Sequence, residues 1–249
     1  MEYEYLKLDI LKFFEGITMN EEEHRYYYKG NTFNYSVSGV IKNFYIPFNA
    51  KEASERKSAK TGVPAEQYLK EWDSKRDNAC DNGHKRHSFG EVYPFNRHLK
   101  PRTKQEEAIV KFWDDLPDHI IPVMTECMMW HKKLLFAGTA DIILYNLQTG
   151  EYIIADYKTN EDLFKNYKGK ENKWQGKRMI RSFSHLLDHP YSHYEIQLSL
   201  YQILLEQVPG VKVSSRKIIW LGNDGEYKMY STTDYTDVLL NKELLEVAL

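Results

Sequence analysis

Two aspartates and a lysine interrupt the mostly apolar stretch GTADIILYNLQTGEYIIADYKT, residues 138–159. The stretch reads as two buried strands joined by a turn, yet Asp141, Asp156 and Lys158 sit within them or at their ends. If Gln148 and Thr149 centre the turn, residue 147 faces residue 150, and the pairing carries outward until Asp141 lies opposite Asp156. Directly opposed residues of an antiparallel pair share a face, with β-carbons about 4.5–5.5 Å apart. Lys158, two residues beyond Asp156, shares that face. Opposed like charges destabilise a sheet, and a divalent cation would reverse that sign. Hard cations such as Mg2+ take oxygen ligands, often one or two carboxylates together with substrate phosphate oxygens. A metal so held polarises a phosphoryl oxygen and lowers the pKa of bound water. Lys158 could position or activate that water, or steady the charge that develops on phosphorus. Such a donor set suits phosphodiester hydrolysis. The competing reading is a salt-bridged trio at a strand edge.

An acid-x-Lys triplet is not specific by itself. It occurs five times: Glu55/Lys57, Asp73/Lys75, Asp156/Lys158, Glu171/Lys173 and Glu226/Lys228. Four of these read as solvated charges on helices, loops or an exposed strand. Only Asp156-Tyr157-Lys158 ends an apolar strand that follows another strand bearing its own acid.

The surrounding chain must supply the mount. Its 249 residues suit one sizeable α/β domain or two small ones. The net charge of −2 advertises no global basic field, so any nucleic-acid surface has to be local. Cys80 and Cys127 form no CxxC pair, zinc knuckle or four-cysteine set, which reads as free thiols in a reducing compartment. The first residues, MEYEYLKLDILKFFEG, lack the pattern of a signal or transit peptide, and no apolar run reaches membrane-spanning length. The expected setting is therefore cytoplasmic.

Lys29-Gly30-Asn31 between aromatic runs suggests a hairpin. Ser36-Val37-Ser38-Gly39-Val40-Ile41 reads as a helix entry with Ser38 as its N-cap. Pro64 opens a helix through Tyr68, Leu69 and Trp72, and a second helix carries GHKRHSFGEVY. Gln105 to Leu116 is amphipathic, with Ile109, Val110, Phe112 and Trp113 on its apolar face. Strands follow over 120–129, 134–147 and 152–157. Beyond a basic stretch, residues 195–206 form a strong helix. Residues 217–221 and 227–230 form a hairpin across Gly222-Asn223-Asp224-Gly225, and a last helix starts at Val238.

Gly138-Thr139-Ala140-Asp141 followed by Asp156-Tyr157-Lys158 resembles the core motif of the PD-(D/E)xK nuclease superfamily, with Ala140 where that family usually has proline. Gly83-His84-Lys85-Arg86-His87 resembles the G-x-x-x-H of its RecB-like branch, and Gln197-Leu198-Ser199-Leu200-Tyr201 its Q-x-x-x-Y. These pieces stand in family order across residues 83–201, and Glu126 resembles a frequent family acid. Upstream, Ser36 to Ile41 and then Trp72 are similar to the layout of mitochondrial genome maintenance exonucleases and phage exonucleases. Arg181-Ser182-Phe183-Ser184-His185-Leu186-Leu187-Asp188 is similar to the phage members. The iron–sulfur subgroup needs four cysteines, so no iron–sulfur cluster is expected.

The resemblance implies an α/β fold with a restriction-endonuclease-like core, a central mixed β-sheet flanked by helices, and an N-terminal helical extension. It implies a single nuclease domain over residues 1–249, with a largely helical DNA-binding portion over 1–80 and the catalytic core over 81–249. The implied activity is an Mg2+- or Mn2+-dependent DNA exonuclease acting on single strands with free ends, in replication, recombination or repair in bacteria or phage-infected cells. Lys158, Asp141 and Asp156 would be catalytic. His87, Asp141, Asp156 and the backbone carbonyl of Tyr157 would hold metal, and imidazole ligation favours Mn2+. Gln197, Tyr201, Ser36, Ser38 and Glu126 would hold substrate or support the ligands. Lys173, Lys177, Arg178 and Arg181 belong to a basic stretch interleaved with Phe164, Tyr167 and Trp174. That stretch reads either as a single-strand groove or as a solvated loop. Two other readings stand beside this one: a non-catalytic nucleic-acid-binding module of the same fold, and a subunit active only with a helicase or recombination partner.

Overall fold

In the computed structural model the described residues are 3–20, 23, 25–33, 35–164 and 177–244, less the side chains of residues 76–87. The chain is mixed α/β. Nine strands alternate with helices among the described residues: β1 (Ile17–Asn20), β2 (Arg25–Tyr28), β3 (Asn31–Thr32), β4 (Tyr35–Ser36), β5 (Ile120–Trp130), β6 (Phe136–Asn146), β7 (Glu151–Lys158), β8 (Val213–Leu221) and β9 (Tyr227–Ser231). The helices are α1 (Glu4–Phe13), α2 (Val37–Ile41), α3 (Ala50–Thr61), α4 (Ala65–Val92), α5 (Lys104–Asp114) and α6 (Pro190–Leu205).

The central sheet is mixed. Antiparallel β5, β6 and β7 continue into β8, which runs parallel to β7, and then into antiparallel β9. The parallel step from β7 to β8 needs a long crossover, and α6 lies within it. Helices cover both faces. Ile196, Leu200 and Leu204 of α6 pack with Ile143 and Ile154 on one side. Ile109, Phe112 and Trp113 of α5 pack with Ile142, Leu144 and Ala155 on the other. Double coverage explains why the strands read as continuous apolar runs rather than alternating ones.

The β6–β7 register is the one the turn position implied. Asn146 pairs with Glu151 and Ile142 with Ala155, and the Asn146 side chain accepts the Gln148 N–H at 2.9 Å to hold the four-residue connection. Helix α5 starts on a capping box, in which Thr103 and Glu106 satisfy each other's backbone donors.

Several expectations need correction. The N-terminal portion is not only helical: β1, β2 and β3 form a separate antiparallel meander. Its Lys29-Gly30 turn uses two residues with positive φ, 49° and 83°, as a two-residue hairpin favours. The meander leans on the main body through Tyr28, whose ring centroid lies 4.2 Å from that of Trp130. The two helices expected over residues 65–93 are one 28-residue helix, α4, which runs through residue 80. A single interior glycine, Gly83, costs only about 1 kcal/mol and does not break it. Ser36, not Ser38, caps α2: its backbone is extended and its hydroxyl accepts the Gly39 N–H at 3.1 Å. The last helix begins at Thr236, two residues before the expected Val238, and passes through a wider π-turn over Leu239–Glu243. No helix among the described residues is long and apolar enough to cross a membrane.

Two glycines set helix positions. A Cβ on Gly138 would lie 2.6 Å from Val37 Cγ2 and 2.9 Å from Tyr201 Cε1, so glycine lets α2 and α6 close onto β6. A Cβ on Gly90 would lie 2.5 Å from the Tyr157 ring, which fixes the end of α4 against β7. Gly90→Ala should therefore lower stability by about 1–3 kcal/mol despite alanine's better helix propensity. Chemical denaturation of the two proteins measures this.

Candidate active site

Three carboxylates stand in a row across three strands. Thr125 pairs with Ile142 and Cys127 with Ala140, so Glu126 faces Asp141 across β5 and β6. One step beyond the last bonded β6–β7 pair, Ile142 with Ala155, Asp141 faces Asp156. All three side chains share the face on which Ile143 and Ile154 meet α6. Glu126 takes a φ of 48°, a left-handed conformation uncommon for a residue with a β-carbon and found where neighbours over-determine the backbone.

The row lies where the sheet opens. β5 occupies one edge of β6, so β4 and β7 must share the other. β4 pairs with Phe136 and Ala137, β7 pairs from Ile142 onward, and residues 138–141 lie between them. There Tyr157 N–H donates to Asp141 Oδ2 at 3.0 Å, a side chain standing in for a ladder partner. The Tyr157 ring points to the opposite face, where its hydroxyl accepts the Trp113 indole N–H at 2.7 Å.

Asp156 is 1% exposed and ion-paired with Lys158. The Lys158 ammonium also lies 4.3 Å from the centroid of the Tyr194 ring. Burial opposes the charge on Lys158, but Asp156, Tyr194 and Asp141 outweigh it and hold its pKa above the usual lysine value. Helix α6 presents Tyr194, Gln197 and Tyr201 at spacings of three and four, along one face. Gln197 Nε2 donates to the Tyr201 hydroxyl at 3.1 Å. Burial raises the Tyr201 pKa, and the charges of Asp156 and Asp141 raise it further, so its hydroxyl stays neutral. The sequence motifs thus converge: Asp141, Asp156, Lys158, Gln197 and Tyr201 meet at one place, with Glu126 beside them.

Other expected residues fare differently. Ser36 and Ser38 sit at the start of α2, their hydroxyls 2.9 Å apart, and Val37 between them packs over Gly138. The side chain of His87 lies outside the described residues, as does Lys173. The remaining basic candidates have partners within the chain. Lys177 pairs with Asp188 at 2.7 Å, Arg178 donates to the His185 carbonyl at 2.7 Å, and Arg181 reaches Glu243 at 3.5 Å. These contacts tie residues 177–188 together, with Lys177 and Arg181 answering the buried side chains of Asp188 and Glu243.

Three contributors were not singled out in the sequence. Glu91 accepts the Thr125 hydroxyl at its carbonyl at 3.0 Å, and its charge acts on Glu126. It follows His87 by four residues on α4, and that helical spacing was the available signal. Tyr26 of β2 shares a 2.9 Å hydrogen bond with Thr139 and feels Glu126 and Asp141. Tyr194 has no motif to mark it.

The donor set fits a divalent cation in its chemistry. Burial, together with the negative charges of Asp141, Glu91 and Asp156, pushes the Glu126 pKa up to about 8. A dication among these carboxylates would relieve that repulsion. The carboxylates keep strand spacing, and no three His, Cys, Asp or Glu side chains among the described residues converge as a ready ligand group.

Because the folded-state pKa of Glu126 lies above its ordinary 4.5, the folded chain holds a proton that the unfolded chain releases. Stability of the metal-free protein should therefore fall as pH rises from about 4.5 to about 8. Glu126→Gln should flatten that dependence, and so should added Mn2+. Thermal melting in EDTA across that range, with and without the ion, checks both.

No protein-family model and no curated protein matches this chain, so the functional reading rests on the geometry of this site.

Proposed function

We propose that the protein is a divalent-metal-dependent deoxyribonuclease with a restriction-endonuclease-like core of the RecB-like type, acting on single-stranded DNA ends. The observation that carries this reading is the register that opposes Asp141 to Asp156, with Glu126 across β5 and Lys158 two residues along on the same face. The Gln197–Tyr201 pair over the acid row and the open edge at residues 138–141 support it further.

Asp141, Asp156 and Glu126 would hold Mg2+ or Mn2+, with the Tyr157 carbonyl and, by family resemblance, His87. Such an ion, when bound, supplies Lewis acidity toward a phosphate oxygen and lowers the pKa of water. The chain's own groups do the rest. Lys158 orients the attacking water and offers positive charge to the non-bridging oxygens as negative charge grows there. Asp156 and the Tyr194 ring hold the Lys158 ammonium in place. Gln197 and the neutral Tyr201 hydroxyl offer hydrogen bonds to the phosphate, fixing its approach for in-line attack. The apolar strands beneath keep these groups from relaxing away.

Purified protein should cleave end-labelled single-stranded DNA with Mn2+ or Mg2+ and lose that activity in EDTA. Asp141→Asn and Lys158→Ala should each reduce the rate at least about a hundredfold, the scale of losing a preorganised charge at a transition state. Undiminished cleavage by both variants, purified free of contaminating nuclease, would rule the mechanism out. Binding without cleavage by the wild type under any divalent ion would favour the non-catalytic module.

A further inference from the structure

Lys177, Arg178 and Arg181 each have an intramolecular partner, and a second candidate surface for a strand stands beside the acid row. A cavity of about 240 Å3 lies between the meander and the start of α2, lined by Arg25, Tyr26, Phe33, Tyr35, Ser36 and Gly39. It shares a wall with the acid row. Tyr26 lines the cavity while its hydroxyl bonds Thr139, and the charges of Glu126 and Asp141 act on it. The floor is stiff, since Tyr26 is anchored at its hydroxyl and Phe33 packs 5.5 Å from the Trp130 ring. Tyr35 is 38% exposed, a platform open to a planar ligand. Glu23 also lines the cavity, but the Tyr27 hydroxyl donates to its carboxylate at 2.6 Å. Arg25 brings a guanidinium to the cavity lining and makes no ion pair with a described residue.

We propose that this cavity binds one unpaired nucleotide of the strand whose backbone passes the acid row. The base stacks on the aromatic wall of Tyr35 and Phe33, and Arg25 and the Ser36 hydroxyl meet a phosphate. Aromatic platforms next to a cation are how single strands are gripped without sequence preference. The lining offers an aromatic wall to one planar group and a cation beside it. A base held in a duplex would have to leave its stack to reach this wall, so single-strand preference follows from use of the cavity. The inference deepens the nuclease reading and rests on it for the identity of the ligand.

Fluorescence anisotropy of a short labelled oligothymidylate in EDTA tests binding apart from cleavage. Arg25→Ala and Tyr35→Ala should each weaken binding about tenfold, with melting temperatures close to wild type. Tyr35→Phe, which keeps the ring, should bind like wild type. The Arg25 variant should also lower the slope of log affinity against log salt by about 0.7, the loss of one phosphate contact on a single strand. A blunt hairpin duplex should not compete. Wild-type affinity in Arg25→Ala and Tyr35→Ala would overturn the proposal, as would equal competition by the duplex. Metal-dependent cleavage with binding untouched in those variants retires the cavity and keeps the nuclease. Binding lost in them, while the wild type never cleaves, keeps the cavity as a single-strand site and retires the nuclease.

Discussion

The register that opposes carboxylates across β5, β6 and β7 governs the rest of the molecule. Glu126, Asp141 and Asp156 meet on a buried face where their mutual repulsion has little water to screen it. The surroundings answer that charge. Lys158 pairs with Asp156, the Tyr157 amide donates to Asp141, and Glu126 retains its proton to about pH 8. A slip of one residue in β7 would turn Asp156 and Lys158 onto the opposite face, where Phe112, Trp113 and Ile109 form an apolar layer. The same slip would expel the Tyr157 ring from that layer. The register is therefore held from both faces, and the carboxylate row is the consequence.

The site is an opening rather than an addition to the sheet. β7 leaves β6 after Ala155, β4 reaches only to Ala137, and Asp141 lies at the edge between them. Close approach of helices frames that opening. Gly138 admits Val37 and Tyr201, and Gly90 seats α4 on Tyr157. Both glycines act by having no β-carbon where another element must touch the sheet. The helices that carry Gln197, Tyr201 and Glu91 are positioned by these contacts.

Charge density and position relative to the acid row point to different surfaces. Lys177, Arg178 and Arg181 belong to the densest cationic part of the sequence, yet each is paired inside the chain with a buried acid or a carbonyl. The cavity beside Tyr26 has fewer charges but a rigid aromatic wall next to the acid row. In the proposed reading stacking surface and position outweigh the number of charges, because a strand would have to lie where its phosphate reaches the carboxylates.

Local periodicity carried much of this architecture. The strands over 120–130, 136–146 and 151–158, helix α5 and helix α6 are legible as apolar patterns, and the turn at Gln148-Thr149 was enough to oppose Asp141 to Asp156. The spacing of Gln197 and Tyr201 placed them on one helical face. The same local signals misled where two close alternatives differ by about 1 kcal/mol, as in the capping serine of α2 and the uninterrupted run of α4 through Gly83. Only the tertiary structure decided that Glu126 faces Asp141, that Glu91 and Tyr26 bear on the row, and that β4 leaves an open edge beside it. Those facts depend on which distant segments touch. The sequence determined the chemistry of the donor set because a strand's period is local; the packing of helices and of the meander around it is set by contacts between distant residues, such as Tyr26 and Thr139, 113 positions apart, which no local pattern encodes.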